Sequence, residues 1–417
     1  MNDTKQQLLD WIEQDRDTLI GFLQEFLRCK TPNPPGNTVS GARFVSTFLE
    51  SLGLPFKTIA PNREMPNIIA ATQFGPGRHL VLNGHMDVFP VGPESDWTRD
   101  PWGGELIDGR IYGRGACDMK CGTTASIFTY VYLNRLAEQL KGKLTLTVVS
   151  DEETFGEWGT RYLMEHHLDE VLGDCCLNGE PSSLHTVRFG EKGPLWLTVK
   201  VSTPGGHGAY VHTSPNAIAI AAEIMTELLR LGELPVREAP ALKAALDEAT
   251  DAIEQAYGKG AAKTIRSVTV NLGTIKGGAK VNMIASDCEF EVDLRVPNGL
   301  SRQELLAKAD EIIGRYPEAS YVVQGGNEPN WCDPDADMYA YVQANAEMIT
   351  GIRPAKVVSP GGTDARLWRM RHVPAIVYGP SPATMGKPDE FVTVEEFLAV
   401  VKTHVLSAYD YLTAATH

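Results

Sequence analysis

Apolar and polar positions alternate along this chain in blocks whose period changes. Leu8, Ile12, Leu19, Phe22, Leu23 and Phe26 fall near helical spacing and predict an amphipathic helix docked on a core. His79 to Asn83 reads as a short buried strand, Gly122 to Leu140 as a helix, Leu144 to Val149 as a second strand and Asp174 to Leu177 as a third. This alternation predicts βαβ units, a mostly parallel sheet and an α/β fold. Ligands of such sheets gather at the carboxyl ends of the strands.

The pattern changes near Glu191-Lys192-Gly193-Pro194. Leu195 to Val201 reads as a strand and Pro215 to Leu231 as a helix, followed by a Pro- and Ala-rich linking stretch to about Lys263. Val268 to Leu272 and Asp287 to Val296 are strand-like, and Ser301 with Glu304 forms a capping box for a helix reaching about Tyr316. Residues 193–326 are therefore expected to form a smaller inserted α+β unit. Residues 1–192 and 327–417 form the larger, discontinuous domain.

Composition narrows the function. The chain has 417 residues, 43% of them hydrophobic and 22% charged, a globular balance with enough length for a large core. A net charge of −15 argues against a general nucleic-acid or anionic-membrane binder. No apolar run is long enough to span a membrane. The charged residues Asp3, Lys5, Asp10, Glu13, Asp15 and Arg16 leave no apolar centre for a secretory leader. The seven cysteines lack paired CxxC spacing, and reduced thiols in a cytoplasmic protein are the expectation.

Candidate chemistry lies just after the strands. In Gly84-His85-Met86-Asp87-Val88 the imidazole can face the crevice while Asp87 reaches its other nitrogen, an arrangement that orients a metal-binding histidine. A turn histidine capped by an aspartate would read the same way. Gly113-Arg114-Gly115-Ala116-Cys117-Asp118 has an acid where a dinucleotide turn needs its third glycine, so a carboxylate delivered to a metal suits it better. Asp151-Glu152-Glu153 crowds carboxylates that repel unless a cation compensates them, although an acidic loop is the simpler alternative. Asn178-Gly179-Glu180-Pro181 supplies one more acid after a strand.

Together and in this order, these segments make the chain resemble the M20 family of metallopeptidases and amidohydrolases over nearly its whole length. The resemblance implies that His85 and Glu180 bind one metal, Asp118 bridges two, Glu153 binds the second, Glu152 is the general base and Asp87 orients His85. Glutamate at position 180 is closer to the acylase side of the family than to its aminopeptidases. The implied cofactor is a divalent ion (Zn, Mn or Co) that lowers the pKa of water and polarises a carbonyl. The smaller unit becomes a lid and dimerisation domain. Its His207, in Pro204-Gly205-Gly206-His207-Gly208, would stabilise the oxyanion in a neighbouring subunit's site, implying a homodimer, and His212 is a second candidate in that loop. Asn282, Arg295 and the Gly361-Gly362-Thr363 loop match substrate-binding positions, with Arg295 able to grip a carboxylate, although a salt bridge within the lid is an alternative for it. The implied activity is hydrolysis of an amide-type C–N bond in a small carboxylated substrate.

One position departs from the pattern. The family places a further histidine in a segment matching Met385-Gly386-Lys387-Pro388-Asp389-Glu390, where this chain has Gly386. His372 and His404 are the nearest imidazoles and poor substitutes, His404 in particular lying in the last predicted helix. A second metal would keep only Asp118 and Glu153, few ligands for tight binding. The expectation is one firmly held metal, with a second weak or absent. That opens two alternatives: a single-metal hydrolase of an unusual C–N bond, such as an aromatic amine, or an inactive member that binds a ligand.

Overall fold

The computed structural model describes residues 3–414. Its centre is a nine-stranded sheet. Lys143–Val149, His79–His85, Cys175–Asn178 and Ala375–Val377 lie side by side and run parallel. At the flanks the pairing turns antiparallel. Lys57–Ile59 and Asn67–Gln73 add antiparallel strands on one side, and Thr186–Glu191 and Asn330–Trp331 do so on the other. The sheet is therefore mixed rather than mostly parallel. Residues 60–66 joining the first two strands are too few for the crossover that parallel pairing requires, whereas Ala355–Ser359, the ninth strand, pairs in parallel with Thr186–Glu191.

The helix Lys120–Asn134 is buried along nearly its whole length, as a helix apolar on all faces must be. The last helix, Val394–Thr413, packs against it. The amphipathic segment at the start forms two helices, Asp3–Gln14 and Arg16–Arg28. Asp15 stands at the break, where its carboxylate accepts from the Tyr132 hydroxyl at 3.2 Å and from Arg135 at 3.1 Å.

A second sheet is wholly antiparallel: Thr269–Gly277, Asp287–Val296, Gly193–Ser202 and Ala319–Gly326. Leu195, Leu197, Val199, Phe290, Val292 and Leu294 turn to one face, where the helices Ala217–Leu229 and Arg302–Ile313 cover them. The Ser301–Glu304 capping box is present. Trp196, Thr198, Glu291 and Asp293 alternate onto the opposite face.

The linking stretch is helical instead of irregular: Pro240–Glu248, Thr250–Tyr257 and Ala261–Arg266. Pro240 sits in the first turn, where its missing N–H costs nothing. Leu242, Leu246, Ile253 and Ile265 pack into the core of the large sheet, not that of the small one. Among the described residues no helix is long and apolar enough to cross a membrane, and all seven cysteines are free thiols.

Candidate active site

The candidate ligands stand at the carboxyl ends of the parallel strands. His85 ends His79–His85, Glu152 and Glu153 follow Lys143–Val149, Glu180 follows Cys175–Asn178, and Asp118 precedes the buried helix Lys120–Asn134. Side-chain ligand atoms of His85, Glu152 and Glu180 fall within 4.8 Å of one another. His85 Nε2 lies 3.1 Å from Glu180 Oε1 and 3.4 Å from Asp118 Oδ1.

The backbone sets this spacing. A Cβ on Gly122 would stand 2.0 Å from the Gly179 carbonyl oxygen, so the helix that follows Asp118 and the turn that carries Glu180 touch main chain to main chain.

His85 is almost fully buried, and its Nδ1 lies 2.8 Å from the Asp87 carbonyl oxygen. Donation there fixes the tautomer and leaves the Nε2 lone pair aimed at the acids. The partner is thus the Asp87 backbone, whose carboxylate stands 3.6 Å from Nδ1. That carboxylate instead accepts from the backbone N–H groups of Glu152 at 3.3 Å and Glu153 at 3.2 Å and from the Asn33 amide at 3.0 Å. Asp87 therefore ties the histidine turn to the acidic turn.

The electrostatics call for a cation. Burial raises the Glu152 carboxyl well above the ordinary range, with the Glu180 charge adding to it. Burial and Asp118 do the same to Glu153, and they push Glu180 up to about 7. Burial opposes protonation of His85, but the neighbouring Asp118 and Glu180 carboxylates prevail and raise it. His85 Nε2 and Glu153 Oε1 are buried without a hydrogen-bond partner. Unpartnered buried polar atoms among like charges fit a divalent ion held by one imidazole and carboxylate oxygens.

Five residues to which the sequence analysis gave no role hold this arrangement. Glu390, fully buried, accepts from the backbone N–H groups of Gly115 at 3.1 Å, Cys117 at 3.0 Å and Asp118 at 3.2 Å, and pairs with the buried Arg114. Arg366 reaches Glu152 Oε1 at 3.2 Å. Glu191 accepts from the Thr363 N–H at 3.0 Å and pairs with Arg369 at 2.9 Å, fixing the Gly361-Gly362-Thr363 loop. Arg366 was within reach of sequence reasoning, since it stands three residues past Thr363 in the same run.

Gly386 adopts φ +71°, and a Cβ there would meet nothing within 4 Å. Its carbonyl accepts from Arg114 Nη2 at 3.2 Å. His372 lines a separate cavity with Trp331 and Cys332. His404 is buried with Nε2 2.7 Å from the Tyr378 carbonyl oxygen, and burial lowers its pKa to about 4. Neither imidazole joins the group of His85, Glu152 and Glu180.

A cavity of about 200 Å³ opens beside the acids, lined by Glu152, Glu153, Phe155, Arg295, Gly362 and Arg366 among others. Arg295 arrives from the small sheet, held by Asp293 at 2.9 Å. His207 and Asn282 do not line this cavity. They sit together on the surface of the smaller unit, where Gly206–His207 pairs with Met283–Ile284 and the Gly208 N–H donates to the Asn282 carbonyl at 2.8 Å. His212 is likewise exposed.

The model of peptidase family M20/M25/M40 matches residues 81–410. The chain belongs to that family. It is a metal-dependent hydrolase acting on amide bonds. Among curated relatives, a succinyl-diaminopimelate desuccinylase of Parvibaculum lavamentivorans is 29% identical over 92% of this chain and 94% of its own length. Succinyl-diaminopimelate desuccinylase 2 of Ruegeria sp. is 26% identical over 94% of each. Among solved structures, the di-peptidase Dug1p of Saccharomyces cerevisiae superimposes with a TM-score of 0.81 at 14% identity, covering 100% of both chains. The metallo-carboxypeptidase Sso-CP2 of Sulfolobus solfataricus gives 0.78 at 17%, covering 94% of this chain and 99% of its own. These structural likenesses establish the shared fold.

Proposed function

We propose that this M20 hydrolase cleaves an N-acyl bond in a small molecule that carries a carboxylate next to the scissile amide. The observation that carries the reading is the buried group of His85, Asp118, Glu152 and Glu180 around an unpartnered imidazole nitrogen. His85, Asp118 and Glu180 would hold one divalent ion firmly, zinc, manganese or cobalt. When bound, such an ion makes water acidic and polarises the substrate carbonyl.

Glu152 takes the proton of the attacking water as its oxygen bonds to the acyl carbon. It then gives that proton to the nitrogen as the C–N bond breaks, and the second water proton follows from the acyl oxygen, so that the products leave as a carboxylate and an ammonium. Arg366 holds Glu152 in place. Arg295 and the Gly361-Gly362-Thr363 loop grip the substrate carboxylate, with Asn282 as a further contact. The curated relatives named as desuccinylases are compatible with such a carboxylated substrate.

Two finer readings follow. First, Asp118 and Glu153 alone would give a second ion a weak site, because Gly386 brings no ligand. Second, the smaller unit would act as a lid and pair two copies, so that His207 serves the partner's cavity and stabilises the oxyanion. The exposure of Tyr210, Val211, Ile218, Ile275, Val281 and Met283, all on this unit, supports such pairing. Calorimetric titration of zinc or manganese into chelator-treated protein tests the metal reading: one tight equivalent abolished by His85→Ala is expected. Two tight equivalents would overturn the single-metal assignment, and none would overturn the metal centre.

A further inference from the structure

The outer face of the small sheet bounds a second, larger cavity of about 600 Å³. Trp196, Thr198, Glu291, Asp293 and Gln324 line it from the sheet, and Phe155 closes it from the large unit. Phe155 and Trp196 also line the catalytic cavity, so the two cavities share a wall. The rings meet edge-to-face, 4.9 Å between centroids. Phe155 lies two residues past Glu153 and holds φ +74°, an outlier for a bulky residue that is kept only where the surroundings enforce it. Its ring would stand 3.2 Å from a Cβ on Gly325, so the acidic turn leans on the small sheet at that point.

The polar lining has one sign. Trp196 Nε1 donates to Asp293 Oδ1 at 3.0 Å, and Asp293 is already neutralised by Arg295. Glu291 accepts from the Thr274 hydroxyl at 2.8 Å and, among the described residues, takes no ion pair. Lys200, farther along the sheet, is paired with Glu289. No lysine lines the cavity. Two aromatic faces beside one uncompensated carboxylate form a receptor for an aliphatic stem ending in a cation.

We propose that this cavity is a specificity subsite for the side chain of the substrate's amino-acid half, selecting an aliphatic chain that ends in an ammonium or guanidinium. The inference rests on the hydrolase reading in one respect: the carboxylate gripped by Arg295 fixes the orientation. The side chain on the same carbon then points along Asp293 toward Trp196. The stem lies along the wall that Phe155 and Trp196 form together, and Glu291 meets the charge.

Calorimetry on the metal-loaded protein with free L-lysine and L-norleucine separates the possibilities, since the two differ mainly in the terminal ammonium. Lysine is expected to bind about tenfold more tightly, the range of one cation–π contact plus one exposed ion pair. Glu291→Gln should cut that preference to the few-fold share of the cation–π contact and leave norleucine affinity unchanged. Gly273→Phe, at a lining position with ordinary backbone and open space, should weaken both about tenfold. Equal affinities in the unaltered protein, a preference undiminished by Glu291→Gln, or no binding of either amino acid would overturn the subsite. Lysine preference without hydrolysis of any N-acyl-lysine would leave the subsite standing and remove the hydrolase mechanism. Hydrolysis of N-acyl-norleucine with no lysine preference would do the reverse.

Discussion

The two halves of the molecule treat their histidines in opposite ways. In the large unit His85 is sealed among carboxylates at the ends of parallel strands, with Glu152 paired to Arg366. In the smaller unit His207 lies on the surface, its ring beside Tyr210 at 5.7 Å and far from complete as a reactive centre. The difference teaches where each group finds its partners. Several like charges gathered in one buried cluster have to be offset by the surrounding fold or by a cation. A donor that acts only as charge develops can be delivered from outside.

The largest effect should come from breaking the buried side. Glu152→Gln keeps the shape and removes the base, and kcat should fall about 10²–10⁴-fold while metal affinity by calorimetry is retained. Unchanged turnover would assign the base elsewhere. On the exposed side, His207→Ala should cost about 10²–10³-fold in kcat. Mixing Glu152→Gln and His207→Ala chains under subunit exchange should then restore about a quarter of wild-type activity, because half of the dimers carry one intact composite site. No recovery on mixing would place His207 in its own chain's cavity or outside the reaction.

Acid should loosen the large half first. His404 has its pKa lowered to about 4 by burial, against about 6.5 unfolded, so the unfolded chain binds the extra proton between those values. Stability is full above pH 6.5 and is lost as pH falls toward 4, by roughly 3 kcal/mol at 1.36 kcal/mol per unit. His404→Gln should flatten that slope in denaturation measured from pH 7 to 5. The smallest effect concerns the smaller unit alone. Ser301→Ala removes the cap that accepts from the Glu304 N–H at 3.1 Å and should cost about 1 kcal/mol in thermal unfolding, with kcat unaltered.

The same contrast governs what could be read beforehand. The grouping of His85, Glu152 and Glu180 was legible because each stands at or just after the end of a strand in a distinctive turn. The mixed sheet was not, since Lys57–Ile59 and Asn330–Trp331 are too short to show a period. The helices between Pro240 and Arg266 were hidden by an Ala-rich pattern of low contrast. Glu390 gave no sign of holding the Asp118 turn, because Arg114 and the backbone it binds lie some 270 residues away. The larger cavity was invisible because its wall joins Phe155 to a strand of another sheet.

The contact between Gly122 and Gly179 has a consequence for how such an enzyme can change over generations. No side chain separates the two turns, so none can be swapped to widen or narrow the gap between Asp118 and Glu180. A shift in ion preference would have to come from replacing donor atoms, because the close contact that spaces them carries no side chain to adjust.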